Sequence, residues 1–129
     1  MTIRQNITTG TPWESLVGYS RVVPMGAFIF VAGTTATDAE GNFVGIGDPY
    51  LQTVTILEKI KAALQQVGAG LENVVRTRIY VTNIQDWQQI AQAHREFFGE
   101  IKPVSTMVEI NRLIAPELLV EIEVDAMIE

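Results

Sequence analysis

The sequence contains no cysteine, which excludes disulfides, thiolate metal ligands and cysteine nucleophiles. Histidine is nearly absent: His94 is the only one, so any Ser-His-Asp triad would have to use it. It falls on an apolar stripe between Ile90 and Phe98, the setting of a histidine packed at a core edge, and serine hydrolase chemistry is disfavoured. Positive charge is scarce as well. Nine Lys and Arg residues against fifteen Asp and Glu give a net charge of −6 at pH 7, which repels phosphate backbones and anionic membranes. Long apolar runs are missing, and the longest, Ala27 to Ala32, is far short of the ~20 residues a membrane span needs. Met1 to Asn6 lacks the apolar core of a signal peptide. The expectation is a soluble, cytoplasmic chain with neither nucleic acid nor membrane as a partner.

What is present suits one packed unit. With 129 residues, 47% hydrophobic and 19% charged, the chain is expected to form a single domain over residues 1–129. A fold of this size buries roughly two thirds of its extended surface.

Ser20–Pro24 and Ala27–Gly33 are short β-rich runs broken at Pro24-Met25-Gly26. A turn-rich loop follows, including Asp38-Ala39-Glu40-Gly41-Asn42, whose spacing is wrong for a calcium site and reads as a turn. Gly45-Ile46-Gly47-Asp48 lacks the third glycine of a nucleotide-binding loop. Asp48-Pro49 is a helix start, with Asp as N-cap and Pro at the first helical position. From there Ile56, Leu57, Ile60, Ala63, Leu64 and Val67 recur at helical spacing until Gly68-Ala69-Gly70.

Val74–Thr82 alternates, with Val75, Thr77, Ile79 and Val81 on one face and Val74, Arg76, Arg78 and Tyr80 on the other. A second helix is expected from Asp86 to Phe98, with Trp87, Ile90, Ala91, His94, Phe97 and Phe98 on one stripe. Strands are expected again at Ser105–Arg112 and Leu119–Ala126. Two amphipathic helices covering one face of a sheet make an α+β two-layer arrangement.

The other sheet face would carry Arg76, Arg78, Tyr80, Met107, Glu109, Glu121, Glu123 and Asp125. Two readings fit. One is a solvated face with cross-strand ion pairs, each worth less than about 1 kcal/mol when exposed. The other is a face covered by another subunit, where Arg–carboxylate pairs line clefts. Glu121, Glu123 and Asp125 project from one strand opposite arginines, which argues against a metal site.

Several segments resemble the Rid/YjgF (reactive intermediate deaminase-like) family. They are Gly18-Tyr19-Ser20-Arg21, Phe30-Val31-Ala32-Gly33-Thr34, Gln52 with the Ile56–Leu64 helix, and Val67-Gly68-Ala69. Later ones are Val74-Val75-Arg76-Thr77-Arg78-Ile79-Tyr80-Val81, Phe97-Phe98, Pro103 and Val120-Glu121-Ile122-Glu123-Val124, so the likeness spans nearly the whole chain. The resemblance implies a chorismate-mutase-like fold: a single mostly antiparallel sheet with two helices on one face, in the order β-β-β-α-β-α-β-β. It also implies a homotrimeric barrel with helices outside and ligand clefts between subunits. Better-known members hydrolyse imines and enamines such as 2-aminoacrylate and 2-iminobutanoate to 2-keto acids and ammonia, without metal or cofactor. The ligand implied is a small molecule, a 2-imino or 2-keto acid.

That chemistry asks for a cation to hold a carboxylate and an oriented acceptor for the attacking water. Glu121 matches the family's cleft glutamate, Tyr19 a cleft tyrosine and Gly33 a glycine whose backbone faces the ligand; Thr34, Ser105 and Met107 complete the expected pocket. The sequence departs from the pattern in two places. Family deaminases carry an arginine just after a Pro-Ala step, beginning Arg-Ser-Cys, where this chain reads Pro103-Val104-Ser105-Thr106-Met107, with Ser105 in the arginine's place. A cleft asparagine is replaced by Ala91. Losing such a charged partner removes roughly 2–3 kcal/mol of anchoring. Arg21 either supplies the positive group from another wall or pairs with Glu121, Glu123 or Asp125. The family resemblance thus leaves open an imine hydrolase of altered specificity and a non-catalytic metabolite binder or chaperone-like module. A ribonuclease fits least, since the chain offers neither a basic groove nor a histidine pair.

Overall fold

The helix start at Asp48-Pro49 forms as the sequence dictates. In this computed structural model, which describes residues 4–129, the Asp48 carboxylate accepts the Leu51 N–H at 3.0 Å and Pro49 occupies the first turn. Of the Met1–Asn6 segment, residues 1–3 lie outside the described residues. The elements run α1 (Pro12–Val17), β1 (Val22–Met25), β2 (Phe28–Thr34), α2 (Pro49–Gln66), β3 (Val74–Val81), α3 (Trp87–Phe98), β4 (Val104–Glu109) and β5 (Val120–Met127). The strands form one mixed sheet in the order β1-β2-β5-β3-β4, antiparallel throughout except for the β3–β4 pair.

The helices α2 and α3 cover one face of this sheet, giving the expected α+β layers. Ile56, Leu57, Ile60 and Leu64 of α2 and Ile90 and Phe98 of α3 pack on Ile29, Val31, Ile79, Val81, Ile122 and Val124. Burying each such side chain contributes roughly 1.5–3 kcal/mol. No helix among the described residues is long and apolar enough to cross a membrane.

Several expectations need correction. Two strands, not three, precede α2 among the described residues; the loop between β2 and α2 holds only an isolated Thr37–Phe43 bridge. There the Asp38 carboxylate accepts the Glu40 and Asn42 N–H groups at 3.0 and 2.9 Å and closes a turn. Helix α1 was not anticipated, because six residues are too few to show a period. The last-but-one strand stops at Glu109 rather than Arg112, and Trp87 is 50% exposed rather than packed with Ile90 and Phe98.

The face assignment of β3 changes at one residue. Val74 pairs with Ala126 and Arg76 with Asp125, so Val75 is an extra, bulged residue. The bulge buries Val74 and exposes Val75, reversing the alternation read for those two; from Thr77 onward the expected faces hold. Met107 and Glu109 also change sides. Because Thr77 pairs with Ser105 and Ile79 with Met107, the odd-numbered residues of β4 share the helix face. Met107 packs against the core, and Glu109 accepts the Ile84 N–H at 2.9 Å. The phase of an edge strand with exposed residues on both faces is set by its pairing, which alternation does not encode.

Candidate functional site

The site is built outward from a buried carboxylate that sequence reasoning missed. Glu14, on α1, is 3% exposed. It accepts the Thr9 N–H at 2.9 Å and the Thr9 and Thr11 hydroxyls at 2.7 Å each. Burial alone would raise its pKa, but those hydrogen bonds and the charge of Arg21 together hold it below the ordinary carboxylate value. The signal was there in Thr9, Thr11 and Glu14 around a Pro-initiated turn, yet it resembles an ordinary helix start.

Arg21 lies against Glu14, with Nε 4.0 Å from Oε2, rather than against Glu121, Glu123 or Asp125. Its guanidinium donates to the Gly33 carbonyl at 2.9 Å, the Thr34 hydroxyl at 3.1 Å and the Tyr19 hydroxyl at 3.3 Å. The side chain is 13% exposed. It therefore gathers Tyr19, Gly33 and Thr34 into one cluster.

Gly33 sits where β2 carries a bulge. Between the Val31–Val124 and Thr34–Ile122 pairs, Ala32 and Gly33 stand opposite Glu123 alone. The Glu121 carboxylate fills the place that a side chain at Gly33 would take. Burial raises the pKa of Glu121; the Arg21 charge opposes that shift and the Glu123 charge reinforces it, leaving it above the ordinary value. A glutamate so placed can accept a proton near neutral pH more readily than an exposed one.

Glu121 opens into a recess of about 450 Å³ lined by Gly33, Tyr80, Ile110, Arg112, Leu113, Ile114, Glu121 and Glu123. Sequence reasoning did not include the 110–114 segment in the site, having assigned its residues as far as Arg112 to a strand. The segment is a loop anchored at both ends. Ile110 N–H donates to the Val81 carbonyl at 2.8 Å, and Leu119 N–H to the Oε1 of buried Gln52 at 2.8 Å. Gln52 in turn donates to the Glu117 and Gly45 carbonyls at 2.9 and 3.2 Å, which fixes the loop to the start of α2. A second recess of about 440 Å³ lies on the other side of Glu123, with Tyr19, Phe30, Ala32 and Asp125 in its lining.

The strand face beside the recess carries the ladder expected from alternation. Arg76 Nε is 3.7 Å from Asp125, and Arg78 Nη1 is 3.3 Å from Asp125 and 3.9 Å from Glu123. Tyr80 donates to Glu123 at 2.5 Å, and that bond leads the causes raising the tyrosine's pKa. Phe28 and Phe30 stack at 6.3 Å on the same face, 52% and 47% exposed.

Ser105 and Met107 are not brought to Glu121. They lie on the helix face of β4, at the sheet's edge. The Ser105 hydroxyl is 2.7 Å from that of Thr77, which is 3.0 Å from Nε2 of His94. Burial lowers the pKa of His94, and its ring packs on Phe98 at 4.8 Å, the core-edge setting expected from the stripe. Lys59, on α2, donates to the Thr35 carbonyl at 2.7 Å and the Thr37 hydroxyl at 2.9 Å. Burial is the main cause lowering its pKa to about 8. Among the described residues no group of three potential ligands comes together for a metal ion.

Residues 9–128 match the family model described as Endoribonuclease L-PSP. A RutC family protein of Pyrococcus abyssi is 38% identical over 105 residues, 81% of this chain and 82% of that protein. A solved member of the YjgF/YER057c/UK114 family from Mycobacterium tuberculosis is 47% identical, with a TM-score of 0.89 over 98% of this chain and 100% of that one. A Rid family protein from Yersinia pestis is 29% identical, with a TM-score of 0.87 over 98% and 100% of the two chains.

Proposed function

The chain belongs to the YjgF/RutC family, and from that premise we propose that it is a cytoplasmic homotrimer that hydrolyses small imines or enamines to keto compounds and ammonia. The observation that carries this reading is Glu121: a half-buried carboxylate of raised pKa, seated on a glycine and opening into a recess with apolar lips.

The chemistry follows from that placement. Water adds to the carbon of a protonated imine as Glu121 takes its proton. Glu121 returns the proton to the carbinolamine nitrogen and the C–N bond breaks. The hydroxyl proton follows, so ammonium leaves a keto group behind. Tyr19, Arg21 and Thr34 hold the Gly33 strand in position, and the Arg21 charge keeps Glu121 from becoming too weak an acid to ionise.

The trimer is supported by what the ladder face exposes. Phe28, Phe30 and Met127 stand half exposed on the same face as Glu121, and Val104 and Val108 continue it on β4. A neighbouring protomer would cover this apolar surface and roof the recess. It would also bring a second β4, with Ser105 and Met107, to a cleft that one chain alone does not assemble.

A second reading, a metabolite binder without catalysis, draws on Ser105, whose hydroxyl is engaged with Thr77 where family deaminases present a cation. The ribonuclease suggested by the family's description has less support: the strand arginines are neutralised by Asp125 and Glu123, and the sole histidine lies on the opposite sheet face. Enzymatically generated 2-aminoacrylate tests the proposal. Faster pyruvate release with wild-type protein, lost in Glu121→Ala, is expected; no acceleration over background leaves the binder.

A further inference from the structure

On the imine-hydrolase reading the ligand carries a carboxylate, and Ser105 stands where the resemblance puts the arginine that would hold it. Most cations near the site are already engaged. Arg21 is braced on Gly33, Thr34, Tyr19 and Glu14. Arg76 and Arg78 face Asp125 and Glu123, and Lys59 is bonded to Thr35 and Thr37. Arg112 differs from all of them. It forms no hydrogen bond or ion pair with the described residues, yet it lines the same recess as Gly33, Tyr80 and Glu121.

We propose that Arg112 is the carboxylate-binding residue of this recess, holding one end of a small 2-oxo or 2-imino acid whose other end faces Glu121. The inference rests on the imine-hydrolase reading only for the choice of ligand. The recess itself sets the pattern: one guanidinium, two carboxylates and a hydrocarbon lip of Ile110, Leu113 and Ile114. A matching ligand is anionic at one end and polar at the other: an iminium donates to the Glu121 carboxylate, and a 2-oxo group accepts from the protonated carboxyl. Arginine offers two parallel N–H groups to a carboxylate, and an apolar lip strengthens that contact by excluding water. The anchoring of the loop at Val81 and Gln52 holds the backbone that carries Arg112 in place before any ligand arrives. In effect the cation has moved from β4 to the β4–β5 loop.

Pyruvate binding to the full-length protein, measured by calorimetry or ligand-observed NMR, tests the assignment. Arg112→Met is expected to weaken pyruvate about 10- to 100-fold, the loss typical of a charge-assisted pair. Arg112→Lys should recover part of that loss, and pyruvamide, which lacks the negative charge, should bind wild type and Arg112→Met alike. An unchanged melting temperature confirms that the variants fold, as expected for a loop residue outside the hydrophobic core. Arg112-dependent pyruvate binding by a protein that does not accelerate imine hydrolysis would sink the enzymatic reading and uphold this one. Imine hydrolysis with the same KM in wild type and Arg112→Met would do the reverse. Failure of wild-type protein to bind pyruvate, or equal binding by Arg112→Met, overturns the assignment of Arg112.

Discussion

The carboxylate of Glu121 stands in the space that a side chain on Gly33 would fill. The two residues lie on neighbouring strands, and the bulge at Ala32-Gly33 brings them together. Glycine at this position therefore determines where the proposed proton acceptor points.

Gly33→Ala separates the site from the fold. Gly33 does not have a positive φ, so the backbone accepts alanine, and the atom it meets is the mobile end of Glu121. The expected outcome is a small loss of stability, about 1 kcal/mol or less, with pyruvate release from 2-aminoacrylate reduced by about tenfold or more, as for a displaced general base. Thermal melting and the coupled assay measure the two effects separately.

The pH profile of hydrolysis reports Glu121 directly. The group must be ionised to take a proton, so activity should fall on the acid side through a pKa above the ordinary 4.5. Burial is the first cause of that elevation and Glu123 adds to it. Glu123→Gln should accordingly move the acid limb to lower pH, while Glu121→Gln should abolish activity along with the limb. Steady-state rates between pH 4 and 8, a span taken from about the glutamate reference upward, decide the matter.

Glu14 is a stability determinant. Replacing it with alanine leaves Thr9, Thr11 and Arg21 without their shared acceptor and should cost about 2–3 kcal/mol. Its pKa is lowered by folding, so its contribution is present above 4.5 and disappears as pH falls through the folded value. Urea titrations of wild type and Glu14→Ala should therefore differ clearly at pH 7 and converge in acid.

The proposed trimer depends on Phe30, which pairs with Asp125 and stacks on Phe28. Phe30→Glu sets a like charge beside Asp125 on the face to be covered. Light scattering should give three chains for wild type and one for the variant; a wild-type protein of single-chain mass contradicts the assembly.

Much of this was legible in the residues. The cap at Asp48, the α2 stripe and the Arg76–Arg78–Tyr80 face each follow from local rules, and each is present. Glu121, Tyr19, Arg21, Gly33 and Thr34 converge as one cluster. What escaped depends on pairing across distance. The bulge at Val75 arises only when β3 meets β5, and the side on which Ser105 and Met107 lie is set by parallel pairing after a helical crossover. Arg112 escaped because it falls at the end of the run Ser105–Arg112 read as a strand, while the bonds to Val81 and Gln52 hold the chain beyond Glu109 as a loop.

The charged ladder between β3 and β5 is permissive about alignment. Sliding β5 by two residues would set Arg76 against Glu123 and Arg78 against Glu121, pairs as favourable as those observed with Asp125 and Glu123. Charge alone therefore does not lock the central strands. The two bulges, one on each neighbour of β5, supply landmarks that a slipped strand would miss. Two irregularities in an otherwise repetitive surface thus select the one alignment in which Glu121 reaches Gly33.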